Sequence, residues 1–149
     1  MSKEHLKKTD RTNLVRNPSR ADYDRDVVNG IIDATSLCHV SYIIDGRPYV
    51  TPTLQWREGD TIYWHGSSAS RFLRQIVNKE VCISITHFDG IVLARSAFHH
   101  SINYRSVMLF GDAHKIEDGD KNQLLEDFVE ALIPGRWETL RPMTDQEAK

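Results

Sequence analysis

LCHVSYIIDGRPYVTPTLQW, residues 37–56, decides the fold. Leu37 to Ile44 is rich in β-branched, aromatic and aliphatic residues, the composition of a strand. Asp45-Gly46 follows, a pair suited to the two left-handed positions of a type I′ turn. Arg47 to Trp56 then reads as the return strand. Pro52 lies inside it and cannot donate a ladder hydrogen bond. This strand is therefore expected at a sheet edge, at a bulge, or with its backbone turned toward something other than a neighbour.

The same reading extends outward. Downstream, Glu58-Gly59-Asp60 is a second turn, and Thr61 to His65 is a short strand that stops at Gly66. Ala69 to Val77 predicts a short helix with Phe72, Leu73, Ile76 and Val77 on one face. Val81 to Phe88 is a strand, Asp89-Gly90 a second hairpin signal, and Ile91 to Phe98 its return. Tyr104 to Ile116 is a long strand with a bend expected at Gly111. Asp118 to Asp120 open an amphipathic helix carrying Leu124, Leu125, Phe128, Val129 and Leu132, ended by Pro134-Gly135. Upstream, Tyr23, Val27, Val28, Ile31 and Ile32 recur at helical spacing, with Ser19 or Asp22 as the cap. Residues 1–20 are polar and basic and lack apolar periodicity, so they read as an arm leading into one domain, 21–149. Closely spaced strands with few helices do not form a β-α-β alternation. They predict a mainly β fold: an antiparallel sheet curled into a barrel, with flanking helices.

Bulk properties narrow the partners. The chain has 149 residues and a net charge of −2, which gives no general attraction to nucleic acid or anionic lipid. No apolar run approaches the ~18 residues of a membrane helix. MSKEHLKKTD at the N-terminus lacks the apolar segment of a secretory signal. Cys38 and Cys82 sit in strand-like apolar runs with no metal spacing, and read as buried thiols of a cytoplasmic protein. His99-His100 would point to opposite faces of a strand, and His39, His87 and His114 are scattered. No dedicated metal site is expected.

WHGSSASR, residues 64–71, is the stretch with chemistry in it. Three serines and an arginine gather where a strand ends and a helix begins. A helix start exposes unpaired N–H groups and a positive dipole end. Hydroxyl donors and a guanidinium fork added there suit a phosphate dianion. The plainer alternative is that Ser67 or Ser68 caps the helix while Arg71 is solvated, and local physics leaves both open. Neither a Walker A pattern nor a G-x-S-x-G nucleophile elbow is present. Several neighbours complete the candidate site. His65 reads either as a structural histidine at the strand end or, at the mouth of such a pocket, as a donor to a bound ring or a group for proton transfer. Of Tyr63 and Trp64, which face opposite ways, one is core and the other a shield. Thr51-Pro52-Thr53 offers hydroxyls and carbonyls to a heterocycle edge. Asn103-Tyr104-Arg105-Ser106 is too polar for a core and belongs at the surface, a subunit interface or a ligand.

Four motifs in order carry a resemblance: Tyr49-Val50-Thr51-Pro52, Trp64-His65-Gly66-Ser67 with Ser70-Arg71, Asn103-Tyr104-Arg105-Ser106-Val107 with Gly111, and Pro134-Gly135-Arg136-Trp137. Together they resemble the FMN-binding split-barrel family related to pyridoxamine 5′-phosphate oxidase, and within it most of all the nitroimidazole-resistance (Nim-type) branch. The resemblance implies a six-stranded antiparallel split β-barrel that forms a homodimer, with two FMN sites at the subunit interface. Ser70 and Arg71 match the Ser-Arg step that holds the FMN phosphate. The oxidase has lysine next, where this chain has Phe72, and Ser67 and Ser68 would substitute with hydroxyls. Thr51, Pro52, Thr53 and Leu54 match the strand along the isoalloxazine edge. Trp64 and His65 match a pair beside the phosphate and ribityl chain. Tyr104 and Ser106 would contact the flavin, Ser106 from the second subunit. The chain stops at Lys149, earlier than family members usually do, which speaks against pyridoxamine-phosphate oxidation itself. The implied activity is FMN-dependent reduction of a small electron-poor acceptor with a nicotinamide donor, His65 being the residue nearest the chemistry. The alternative on the same barrel is a flavin or haem carrier, with Phe98-His99-His100 as the source of a haem ligand.

Overall fold

Asp45 and Gly46 sit at φ 51° and 72°, the left-handed pair that a tight two-residue hairpin needs. The computed structural model describes residues 4–116, 121–144 and 147. The Asp45-Gly46 turn joins β1 (Leu37–Ile44) to β2 (Arg47–Leu54), in a register that sets Ile44 opposite Arg47 and Leu37 opposite Leu54. The return strand is shorter than expected. Gln55 breaks it, because its side chain is buried and its Nε2 donates to the carbonyls of Ile32 and Thr35 at 3.1 and 2.6 Å. Beyond it, β3 (Trp56–Glu58) and β4 (Thr61–Tyr63) form a small ribbon.

The second Asp-Gly pair does not make a hairpin. β5 runs from Lys79 to Val92 as one strand, paired along its length with β6 (Ser101–Ala113). Asp89 is the extra residue of a bulge, since Phe88 faces Tyr104 and Gly90 faces Asn103. Gly111 pairs regularly with Val81, so the expected bend lies at Asp89 instead.

Strand order in the larger sheet is β2-β1-β5-β6, all antiparallel. Pro52 therefore stands on an edge strand, as its missing N–H requires. Among the described residues the six strands divide into this open four-stranded sheet and the separate β3-β4 ribbon, and no ladder closes a barrel. Pro48 and Pro52 both remove donors from the β2 edge, which limits what can pair there.

One face of the sheet is the core. Cys38 and Val40 of β1, Ile83 and Ile85 of β5 and Val107 of β6 are buried together with Ile32 and Ile76. Ile32 comes from α1 (Arg25–Asp33) and Ile76 from α2 (Arg71–Ile76). Asp24, rather than Ser19 or Asp22, caps α1 by accepting from Asp26 N. Ser19 lies in a separate single turn, Pro18–Arg20, and Asp22 instead accepts from Asp24 N at 2.9 Å. Residues 4–20 are tied down: Leu6 N donates to Tyr23 O, Arg25 N to Glu4 O, and Tyr23 Oη to Thr12 O. Arg11 pairs with Glu80 and lies over the Phe110 ring.

Residues 115–149 form a second compact unit. It contains α3 (Lys121–Leu132) and a short turn, Trp137–Thr139. The expected opening of α3 at Asp118 to Asp120 lies outside the described residues. Glu130 accepts from Gly135 N at 2.6 Å and Trp137 N at 2.8 Å. These N–H donors hold its carboxyl below the usual range. Among the described residues no helix is long and apolar enough to cross a membrane.

Candidate functional site

The turn into α2 answers part of the question that sequence left open. Helix α2 starts at Arg71, two residues later than expected, and Ser70 is its cap. Ser70 Oγ accepts from Leu73 N at 3.5 Å, and Ser67 Oγ from Ala69 N at 3.2 Å. Both hydroxyls thus serve local backbone. A hydroxyl oxygen that accepts still has its own proton to give, so capping leaves both serines able to donate to an anion. Ser67 and Ser68 are exposed. Gly66 has a reason within the chain, since a Cβ there would stand 3.1 Å from Leu73 Cδ1.

Arg71 and Phe72 point to different tasks. Phe72 packs on Tyr42, with ring centroids 4.9 Å apart. It is part of the fold at the position where the oxidase pattern has a cation. Arg71 is exposed, and its guanidinium carbon lies 5.8 Å from the centre of the Tyr49 ring. Among the described residues no carboxylate pairs with it. Arg57 and Arg105 differ in this, being held by Asp33 and Asp89. Tyr49 in turn stacks on Tyr42 at 5.7 Å with the rings 13° apart, and Tyr42 Oη shares a 2.8 Å hydrogen bond with Thr51 Oγ1.

Arg71, Ser70 and Thr51 are thus linked through Tyr49, Tyr42 and Phe72. Thr53 shares the Thr51 face, opposite buried Cys38, while Pro52 and Leu54 face the other way, opposite His39 and Leu37. Trp64 is half-buried against the core, and Tyr63 stacks on Trp56 at 5.3 Å. Trp64 is therefore the core member of that pair. His65 is exposed between β4 and α2.

Tyr104 and Ser106 are not part of this group. They lie on β6, at the opposite edge of the sheet from β2. Three inter-strand steps separate the edges, about 14 Å at the usual spacing. They also occupy the opposite face. Val107 points into the core, so Ser106, opposite Thr86, and Tyr104, opposite Phe88, point away from it. Around them Phe88 and Met108 are about 60% exposed.

Sequence reasoning missed the Tyr42–Tyr49 stack and its contacts with Thr51, Phe72 and Arg71. The signal was present in the turn. A two-residue loop at Asp45-Gly46 fixes the pairing, and counting outward sets Tyr42 opposite Tyr49 and Val40 opposite Thr51. The cysteines also separate. Cys38 is fully buried, and burial pushes its thiol up to about 11. Cys82 is only half-buried on the other face. Its thiol is raised as well, by burial first, with Arg11 opposing and Glu80 adding. Among the described residues no cluster of three or more metal-ligating side chains occurs.

An antiparallel sheet with helices on its core face and a hydroxyl-rich strand-to-helix turn beside it defines a mainly β domain of the pyridoxamine 5′-phosphate oxidase-like fold. Residues 24–149 match the family described as pyridoxamine 5′-phosphate oxidase, and the chain belongs to that family. It is similar to the flavocytochrome Anf3 from Azotobacter vinelandii, with 45% identity and a TM-score of 0.87 over 94% of this chain and 66% of that one. It is also similar to an FAD and heme binding protein from Mycobacterium smegmatis, with 35% identity and a TM-score of 0.81 over 85% of this chain and 62% of that one. The chain thus spans about two thirds of the length of these two proteins. A candidate 5-nitroimidazole antibiotic resistance protein from Bacteroides thetaiotaomicron shares the fold, with 23% identity and a TM-score of 0.66 over 85% of this chain and 75% of that one. No curated protein matches the sequence.

Proposed function

We propose that this chain is a flavin-binding redox protein that works as a homodimer, with two flavin sites between its subunits. The observation that carries the reading is the split of the candidate site. Arg71, Ser70 and Thr51 gather at one edge of the sheet, while Tyr104 and Ser106 sit at the other edge on the opposite face. One copy cannot bring them onto a single small molecule, whereas two copies related by a two-fold axis can. In this reading Arg71, Ser67, Ser68 and Ser70 hold the phosphate of an FMN unit. The donors fit, because the serines keep their protons and Arg71 has no carboxylate partner among the described residues. Thr51 to Leu54 run along the ring edge, and Trp64 backs the ribityl region from the core side. Tyr104 and Ser106 come from the second subunit. A bound flavin would supply the two-electron chemistry, and the protein holds and orients it. His65 is exposed beside the turn and would carry a proton. The reaction fitting this arrangement is reduction of a small electron-poor acceptor with a nicotinamide donor.

The phosphate grip is common to FMN and FAD. FMN follows from the family resemblance, and FAD is what the Mycobacterium relative binds. A second reading adds haem to the flavin. It is favoured by the two relatives of 45% and 35% identity, one a flavocytochrome and the other binding FAD and heme. His99 and His100 are both exposed in and after the short turn Ala97–His99 and are the candidate ligands on this chain.

The absorption spectrum of the purified protein, with extraction of its chromophore, separates these readings. A flavin spectrum without a Soret band supports the first, and both together support the second. A colourless protein that takes up neither FMN nor FAD overturns both. Replacing Arg71 with Ala is expected to weaken FMN binding by ~1.5–3 kcal/mol, the range for a charged hydrogen bond. An unchanged affinity removes Arg71 from the site.

A further inference from the structure

The first turn of α2 is held to the sheet by two adjacent side chains that engage two different rings. Phe72 packs on Tyr42 at 4.9 Å, and the Arg71 guanidinium lies over Tyr49 at 5.8 Å. The tyrosines stack on each other, and Tyr42 is hydrogen-bonded to Thr51. We propose that Tyr49 is a positioning residue for Arg71, one that holds the guanidinium ready for an anion without neutralising it. The inference rests on the proposed role of Arg71 at a flavin phosphate.

The argument is one of geometry. An arginine side chain is long and flexible, and fixing it for a ligand costs rotamer entropy. A carboxylate would fix it, but through the same in-plane N–H groups that a phosphate needs. Arg105 is used that way: its Nε and Nη2 both go to Asp89, at 3.0 and 2.9 Å. An aromatic ring attracts the cation through its flat face. The in-plane donors are then left for a ligand. Tyr49 meets this need, and 5.8 Å is within reach of such an interaction. Tyr42 extends the support. It holds the Tyr49 ring by stacking and fixes the Thr51 hydroxyl by its hydrogen bond. Tyr42 thus supports both the Tyr49 ring and the Thr51 hydroxyl, whereas Tyr49 itself reaches Arg71 and not Thr51.

The test uses two probes, FMN and riboflavin, which differ only in the phosphate. Their affinity ratio isolates what Arg71 contributes. Tyr49→Leu is expected to lower the preference for FMN about two- to fivefold, the worth of an exposed cation–π contact, and to leave riboflavin binding unchanged. Tyr49→Phe keeps the ring and should keep the preference. In an Arg71→Ala background Tyr49→Leu should lower it no further. A preference unchanged by Tyr49→Leu, or an equal loss for both probes, overturns the inference. If the leucine variant does not fold by circular dichroism, Tyr49→Trp decides. Tryptophan offers the strongest ring face, so the preference should rise, and a fall overturns the inference. Wild-type protein that binds neither probe and does not take up FAD overturns the proposed function itself. Wild-type protein that prefers FMN through Arg71, with Tyr49 variants that do not alter the preference, overturns only the role of Tyr49.

Discussion

The two faces of the four-stranded sheet are built from the same strands and do opposite things. On the inner face Cys38, Val40, Ile83, Ile85 and Val107 are buried within the chain. The outer face carries Thr86, Phe88, Tyr104, Ser106 and Met108, all exposed. The inner face is finished by α1 and α2, and the half-site at Arg71 is assembled beside it from one chain. The outer face has polar and apolar residues side by side and no helix of its own unit packed over Tyr104 to Met108 among the described residues. The difference teaches that one chain leaves the candidate residues on two separate faces, and on the proposed reading the site is half local and half dependent on a second copy. If that is right, damage to the two faces should register in different measurements.

The largest effect is expected from a charge placed on the outer face. In the proposed dimer Met108→Asp would bury an unpaired carboxylate in each subunit, at ~3–5 kcal/mol apiece. The variant should be monomeric by light scattering and should have lost flavin binding, with its melting temperature otherwise little changed. A dimer that still binds flavin would mean that the outer face is not the interface. On the inner face, Ile85→Ala should do the converse. Ile85 is 1% exposed, and removing it costs ~2–5 kcal/mol of stability through lost burial and the cavity left behind. Denaturant titration should show that loss, while the dimer persists wherever the chain remains folded.

Two identical dipeptides show how much of this was legible. Asp45-Gly46 turns the chain, and Asp89-Gly90 does not. A turn signal is local, whereas a strand is decided by its partner. β6 is long enough to pair β5 on both sides of Asp89, so the chain runs through, and Arg105 holds the bulged carboxylate, keeping it below its usual range. The edge position of Pro52 was readable because a missing N–H has few places to go. The core stripe of α1 was likewise written in residue type, whereas the cap of α2 is Ser70 and not the Ser67 or Ser68 that the sequence suggested, because the helix starts two residues later than expected. The Tyr42–Tyr49 pairing could be counted outward from the Asp45-Gly46 turn. What could not be read was the order of strands distant in the chain, on which the opposite-edge position of Ser106 depends. A Pro-containing edge and two very short strands left the expected barrel open.

The cysteines allow the faces to be compared by titration. Cys38 faces inward with its thiol held near 11, against an ordinary value of 9.0. Below pH 9 the thiol is protonated in folded and unfolded chains alike, so it adds no pH dependence. Above that, the unfolded chain gives up its proton first and gains stability relative to the fold. The native state should therefore lose about 2–3 kcal/mol as pH rises through the window from 9 to 11, at ~1.4 kcal/mol for each pH unit between the two values. The check is to compare wild type with Cys38→Ala by denaturation at pH 8 and 10.5, which cancels every other titrating group. An equal alkaline loss in both proteins would mean that Cys38 is not sealed on the inner face.

The smallest effect separates the two uses of Ser70. Its Oγ caps α2 at 3.5 Å, the long end of a hydrogen bond, so Ser70→Ala should cost only ~0.5–1 kcal/mol of stability. Glycine at an N-cap costs a few tenths of a kcal/mol. Ser70→Gly therefore removes the hydroxyl while nearly sparing the helix. If Ser70 also donates to a phosphate, both variants should lower the ratio of FMN to riboflavin affinity equally, although their melting temperatures differ. If Ser70 is a cap alone, the ratio should not move in Ser70→Gly, and any change in Ser70→Ala should follow the lost stability. The inner half-site would then rest on Arg71, with Ser67 and Ser68 as its hydroxyl donors.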